Sequence, residues 1–373
     1  MDDGAISKDD REALAEFFLT SPKFSQGEKV REFENKWSKW QGCKYSVFVN
    51  SGSSANLMAV YAMRLMYGLG KWGAQSCTWA TNVSPLIQLN PDCSVGLCDI
   101  DLKNFGVCMD SMRKINPNFY FITHLLGFPA VTDEFISHCE KNNILFIEDC
   151  CEAHGATYNG KKVGNFGICS TFSFYYGHHM TTIEGGMICT DREEVYHLLL
   201  LLRSHGLLRE LPEPHRTDRQ IANLDKQFTF LTNGFNFRNM EANALLGIRQ
   251  LENLDKHNDQ RNRNYKVFAE NIDKNKYLCD FDATGISSFC LPVFAKTVDI
   301  VDVRAKLVEI GIEHRPCVGG NLARHPMVKG RSVFNLENCI KSDVVADKCV
   351  YVGNHQAVDE NMVYDLCKKL NEV

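Results

Sequence analysis

Tyr45-Ser46-Val47-Phe48-Val49-Asn50-Ser51-Gly52-Ser53-Ser54-Ala55-Asn56 reads as a short strand that runs into a cluster of small residues and then into an apolar-periodic helix, Asn56 to Tyr67. Small residues stand where a helix opens its unpaired amides, so Gly52 and Ser53 are candidates for a phosphate cradle. The alternative is a plain helix cap by Ser53 or Ser54.

The same strand-then-helix rhythm recurs along the chain. Runs at Phe119 to Thr123, Ile144 to Asp149, Ser170 to Phe174 and Met187 to Thr190 alternate with helix-length segments at Asp133 to Lys141 and Glu193 to Ser204. That alternation predicts an α/β fold around a mostly parallel sheet. From about Asp218 the pattern is loop-like and becomes helical from Met240; a long polar helix, Gln250 to Asn271, leads to a second α/β piece with Ser287 to Phe294 and the helix Val301 to Ile310. The expected division is a large domain over 1–250 and a smaller C-terminal domain over 251–373.

Bulk properties remove several classes of function. The net charge of −5, without a lysine or arginine block, lacks the footprint of a nucleic-acid or anionic-membrane binder. The acidic opening Met1-Asp2-Asp3-Gly4-Ala5 fits no secretory leader, and no apolar run approaches the roughly 20 residues of a membrane span, so a cytoplasmic location is expected. The 16 cysteines lie mostly in apolar, strand-like contexts without a pair of C-x-x-C motifs, which speaks for small buried hydrophobes rather than disulfides or structural zinc.

Three further places invite chemistry. Ile144 to Asp149 is a buried strand ending in two acids, and ligands of open α/β sheets collect at carboxyl ends of strands; Asp149 there could pair with a protonated ring nitrogen or simply cap the next turn. Trp79 could stack on an aromatic ligand or belong to the core. The segment Ser173-Phe174-Tyr175-Tyr176-Gly177-His178-His179-Met180-Thr181-Thr182-Ile183-Glu184-Gly185-Gly186 holds a histidine pair, with no lysine between Lys162 and Lys226.

Together with Thr78-Trp79-Ala80-Thr81, Glu148-Asp149-Cys150-Cys151-Glu152-Ala153-His154-Gly155, Gly234-Phe235-Asn236-Phe237-Arg238-Asn239-Met240 and His314-Arg315-Pro316, these segments resemble the DegT-type nucleotide-sugar aminotransferases and dehydratases. The resemblance implies the aspartate-aminotransferase-like fold (PLP fold type I) and pyridoxal 5'-phosphate or pyridoxamine 5'-phosphate as cofactor. Carried over position by position, it makes Gly52, Ser53 and Ser173 phosphate ligands, Asp149 the pyridine-nitrogen partner, Trp79 the ring stack and Glu152 a neighbour of the ring hydroxyl. Asn236 matches an asparagine that reaches the phosphate of the neighbouring subunit, which implies a homodimer with shared active sites.

His178 falls where the family carries the lysine that binds the cofactor as a Schiff base, and imidazole cannot form that bond. Within the family this replacement resembles the 3-dehydratase branch acting on nucleotide-linked 4-keto-6-deoxyhexoses, GDP-4-keto-6-deoxymannose among them, with His178 as proton carrier and glutamate as amino donor. Another branch holds an iron-sulfur cluster through cysteines after the histidine; here Cys189 is followed by none until Cys279, so no cluster is expected. The stretch Arg203-Ser204-His205-Gly206-Leu207-Leu208-Arg209 reads more like the aminotransferase side and leaves His205 and Arg209 as substrate candidates, as Arg315 is for an anionic cosubstrate. Two alternatives therefore stay open: a sugar aminotransferase, and a catalytically silent dimer that binds a sugar nucleotide.

Overall fold

The computed structural model describes residues 5–90, 94–215, 224–225, 227–328, 333–334 and 339–373. In chain order its first half runs α1 (Lys8–Thr20), α2 (Glu28–Gln41), β1 (Tyr45–Val49), α3 (Gly52–Tyr67), β2 (Trp72–Gln75), α4 (Ala80–Leu89), β3 (Val95–Cys98), α5 (Met109–Ile115), β4 (Phe119–Thr123), α6 (Asp133–Lys141) and β5 (Leu145–Asp149). A small hairpin, β6 (Thr157–Tyr158) and β7 (Lys161–Lys162), precedes β8 (Ser170–Ser173), β9 (Gly186–Thr190) and α7 (Glu193–Arg203). The remainder is α8 (Glu241–Leu251), α9 (Leu254–Asn271), β10 (Cys290–Phe294), α10 (Ile300–Glu309), β11 (His314–Pro316), β12 (Val333–Phe334), α11 (Ile340–Lys348), β13 (Cys349–Gly353) and α12 (Glu360–Leu370).

Eight strands form the large sheet in the order β1-β9-β8-β5-β4-β2-β3-β12. Only β9 runs against its neighbours; the β8-β5, β5-β4, β4-β2, β2-β3 and β3-β12 pairs are all parallel. Such a sheet is buried on both faces, and strand alternation divides its side chains between two cores. Phe48, Tyr120, Ile122 and Phe172 pack with α2, α6 and α8 residues such as Phe33, Phe135 and Ala244. Val47, Val49, Phe119, Phe121 and Ile147 face the opposite side, against Met58 and Val60 of α3 and Leu199 of α7. A second sheet, β10-β13-β11, packs with α9, α10 and α12 around Val293, Val350, Phe268, Leu307 and Leu366.

The expected strands at Tyr45, Phe119, Ile144, Ser170 and Met187 all occur, shifted by a residue at most at their starts. Helix α3 begins at Gly52, four residues before the expected Asn56, and its cap is Ser51, whose Oγ accepts from the Ser54 amide. The expected long polar helix, Gln250 to Asn271, starts four residues later: α8 ends at Leu251 and α9 runs from Leu254 to Asn271. Of the loop-like stretch from Asp218, residues 218–223 and 226 lie outside the described residues. We propose that the division between the two domains falls near residue 250, where α8, packed on α2, hands over to α9, packed on α12.

One carboxylate joins distant parts of the chain. Gly27 caps α2 without a side chain of its own, and buried Glu241, at the start of α8, accepts instead from the amides of Gly27 (2.7 Å), Lys29 (2.9 Å) and Val30 (3.0 Å). A carboxylate is favoured at a helix N-terminus, where free amides gather. Glu241→Ala would leave those amides without an acceptor and should lower the unfolding free energy by about 2–4 kcal/mol in urea denaturation. An unchanged midpoint would show that water replaces the carboxylate at no cost.

Candidate active site

Parallel strands deliver their carboxyl ends to one edge of the sheet, and the loops that leave those ends build a cavity. Gly52 and Ser53 follow β1, Trp79 follows β2, Thr123 ends β4, Asp149 ends β5 and Ser173 ends β8; all line a cavity of about 950 Å³. His178, Glu152 and Arg315 line it too, so the structure brings together nine of the residues named above, counting Thr123. His205, Arg209 and Asn236 are exposed and do not line the cavity of their own chain. The His205 amide donates to the Phe235 carbonyl at 2.7 Å, and Arg209 lies over the Phe228 ring beside Glu210.

The anion cradle is tightly made. Ser51 takes the Ser54 and Ala55 amides, which leaves those of Gly52 and Ser53, among the described residues, without a protein acceptor at the positive end of α3. A Cβ on Gly52 would lie 2.6 Å from the Ser173 Cβ, so the two segments approach as closely as only glycine allows. Exposed Ser53 and the Ser173 hydroxyl complete a set of donors suited to a phosphate.

Asp149 is buried, and its carboxylate accepts from Asn56 Nδ2 (3.0 Å), Asn82 Nδ2 (2.7 Å) and the Cys151 amide (2.8 Å). The two asparagines were not singled out from sequence. Asn56 stands one turn into α3, where it reads as an ordinary helical residue, and Asn82 sits in the first turn of α4. Trp79 stays 54% exposed on the cavity wall, available to a flat ring rather than spent on the core.

His178 follows the turn after β8; its amide donates to the Tyr175 carbonyl at 2.9 Å, and its Nδ1 is buried without a hydrogen-bond partner. Burial pushes its pKa down to about 4, with Arg261 acting the same way and Asp149 and the Cys151 backbone opposing. The imidazole is therefore neutral near pH 7. Its neighbour His179 turns into the core and bonds the Ser287 carbonyl through Nε2 at 3.0 Å. Glu152 behaves oppositely: burial raises its carboxyl to about 7, the Leu126 amide, which donates to it at 2.8 Å, moderates this and Asp149 adds to it. Arg315 is paired with Glu313 at 3.0 Å.

A strand-end carboxylate, a helix-end cradle, an exposed tryptophan and an imidazole with its Nδ1 unpartnered fit a phosphorylated pyridine cofactor. Family-level comparison agrees, since the model of the DegT/DnrJ/EryC1/StrS aminotransferase family matches residues 5–371. The chain belongs to that family. It is 34% identical to a GDP-4-keto-6-deoxy-D-mannose 3-dehydratase of Escherichia coli O55:H7, over 91% of this chain and 90% of that one. A crystal structure of GDP-4-keto-6-deoxymannose-3-dehydratase with a trapped PLP-glutamate geminal diamine superposes with a TM-score of 0.90 at 30% identity, covering 97% of each chain. A GDP-perosamine synthase of Caulobacter vibrioides is 31% identical over 69% of this chain and 66% of that one. The fold class is the aspartate-aminotransferase-like one, PLP fold type I, with its mostly parallel central sheet.

Two measurements probe this site. Gly52→Ala should weaken binding of pyridoxal phosphate about fivefold or more in an absorbance titration, since overpacking here costs about 1–3 kcal/mol; unchanged affinity would overturn the cradle. Glu152 keeps its proton in the folded protein at pH values where the unfolded chain, with the ordinary value of 4.5, has lost it. Folding stability therefore falls as pH rises from about 4.5 to about 7. Glu152→Gln should stabilise the protein at pH 8 by roughly 2–3 kcal/mol and make no difference below about pH 4.5, read from denaturation midpoints across pH.

Proposed function

We propose that the protein is a pyridoxamine 5'-phosphate-dependent 3-dehydratase of a nucleotide-linked 4-keto-6-deoxyhexose, giving a 4-keto-3,6-dideoxy sugar, with glutamate restoring the amine form. The observation that carries this is His178 on the wall of the cavity, at the position where the family resemblance expects a lysine. The one lysine among the described lining residues, Lys369, belongs to the C-terminal helix α12 and not to a strand end.

When bound, the cofactor supplies an amine for the C4 ketone and a ring that spreads the charge left by proton loss. Gly52, Ser53 and Ser173 would hold its phosphate, Trp79 would stack on its ring, and Asp149 would pair with the ring nitrogen and keep it protonated. His178, neutral at pH 7, accepts a proton at an imidazole nitrogen and returns it to the departing C3 hydroxyl. Because imidazole cannot capture the cofactor covalently, the amine stays free for the sugar. Glu152 would neighbour the ring hydroxyl, and Arg315 would meet the anionic cosubstrate.

Exposed Asn236, outside its own cavity, supports a homodimer in which it completes the partner's phosphate site. Exposed His205 and Arg209 act on substrate only across such an interface. No described helix is long and apolar enough to cross a membrane; cysteines held outside disulfides at the described positions support a cytoplasmic enzyme.

The test is incubation of the purified protein with pyridoxamine phosphate, glutamate and a panel of nucleotide-linked 4-keto-6-deoxyhexoses, with products identified by mass. A dideoxy keto sugar is expected; an amino sugar as sole product would install the aminotransferase reading, for which the synthase relative is the precedent. His178→Asn should cut turnover by about 10²–10⁴. His178→Lys should lose dehydration while gaining a borohydride-reducible covalent link to pyridoxal phosphate.

A further inference from the structure

The long polar helix α9 hides a buried polar face. Asn258, Arg261 and Asn264 recur at helical spacing and are all buried, Arg261 being only 3% exposed. Asn258 and Asn264 are committed to fixed partners: Asn258 Nδ2 donates to the His154 carbonyl, and Asn264 Nδ2 to Asn354 and the Val358 carbonyl. Arg261 is different. Among the described residues no carboxylate answers its charge, its Nε has no partner, and it lines the cavity beside His178.

What the guanidinium holds is main chain. Nη1 donates to the carbonyls of Phe289 (2.9 Å), at the entrance to β10, and of Asn354, just after β13; Nη2 reaches the carbonyl of His178 at 3.4 Å. Three separate segments thus meet on one cation, and one of them is the backbone of the residue read as proton carrier. Phe289 also flanks the His178 ring, with centroids 5.3 Å apart. A buried guanidinium without an anion is costly, and an apolar side chain of similar volume would fill the space at less expense. Its retention calls for a use of the charge or of the fork.

We infer that Arg261 is a positioning residue for His178: it clamps the His178 carbonyl to the β10 and β13 segments and sets an uncompensated cation beside the imidazole. The groups facing His178 agree with a balanced field. Asp149, Cys151 and Glu152 approach from the end of β5, His154 from the following turn at 6.4 Å between ring centroids, Tyr175 and His179 from its own loop, and Arg261 from α9. Of these, Asp149 favours the protonated imidazole and Arg261 disfavours it. Arg261 acts likewise on His154 and His179, where burial is the larger cause and both are held far below the ordinary histidine range. One cation therefore biases all three rings.

This inference rests on the reading of His178 as proton carrier, yet its first test needs neither cofactor nor substrate. The histidine rings of the cofactor-free protein are isotope-labelled and followed by NMR across pH, with His178 assigned through His178→Asn. In Arg261→Met the His178 titration should move up by about half a unit or more, toward the ordinary 6.5. Arg261→Lys keeps the charge but not the three-way clasp, so its titration should stay near that of the parent while turnover with the accepted sugar falls tenfold or more at unchanged KM. A folded Arg261→Met protein whose His178 titrates as in the parent overturns the electrostatic role, even if it is less stable. Should Arg261→Met fail to fold, Arg261→Lys decides alone: parental kcat, or an upward-shifted titration, overturns the proposal. If the dehydratase reading fails, the NMR shift still stands or falls by itself.

Discussion

Parallel pairing makes β2, β4, β5 and β8 end on one edge of the large sheet, the two antiparallel pairings of β9 bring β1 to the same edge, and the site is built on that shared direction. Backbone amides, a carboxylate and small hydroxyl residues come from chain positions as far apart as Gly52 and Ser173, yet a single added methyl would bring the two into collision. Close packing there does chemical work: the free amides of α3 point into a space narrow enough to hold an anion, and Asp149 is fixed by Asn56 of the same helix.

Desolvation sets the proton chemistry. Removed from water, a histidine loses its charge more readily and a carboxyl gains its proton more readily, so His178 and Glu152 shift in opposite directions within one cavity. The result near neutrality is a base that is unprotonated and an acid close to its midpoint. Between them, three N–H donors surround the oxygens of Asp149 and hold it in place. The second sheet enters through His179, bonded to Ser287, and through Arg261, so the loop carrying His178 is held from both sides of the cavity.

Residues that end strands were legible in the chain. Asp149, Ser173, Gly52 and Trp79 each follow a short apolar run, and the edge rule for α/β sheets turns that local position into a place in the cavity. His178 was legible for another reason, as an imidazole in an otherwise complete set of cofactor motifs. Asn82, Arg261 and Glu241 were not. On a helix, polar residues at such spacing look like a solvated face, and only packing shows that Glu241 serves the amides of α2 or that Arg261 lies under the active-site loop. The start of α9 was read four residues early, because Glu252 and Asn253 are compatible with a helix.

By itself, then, the order of residues determined the α/β class, the residue types at the strand ends and a histidine pair in a stretch without lysine, since these depend on local periodicity and on residue identity. Tertiary structure decided the rest: which amides stay free, which carboxyl is desolvated, which asparagines hold Asp149, and which cation has no counter-charge. Those properties belong to distances between segments remote in the chain, and burial, which governs charge, exists only once the segments have packed.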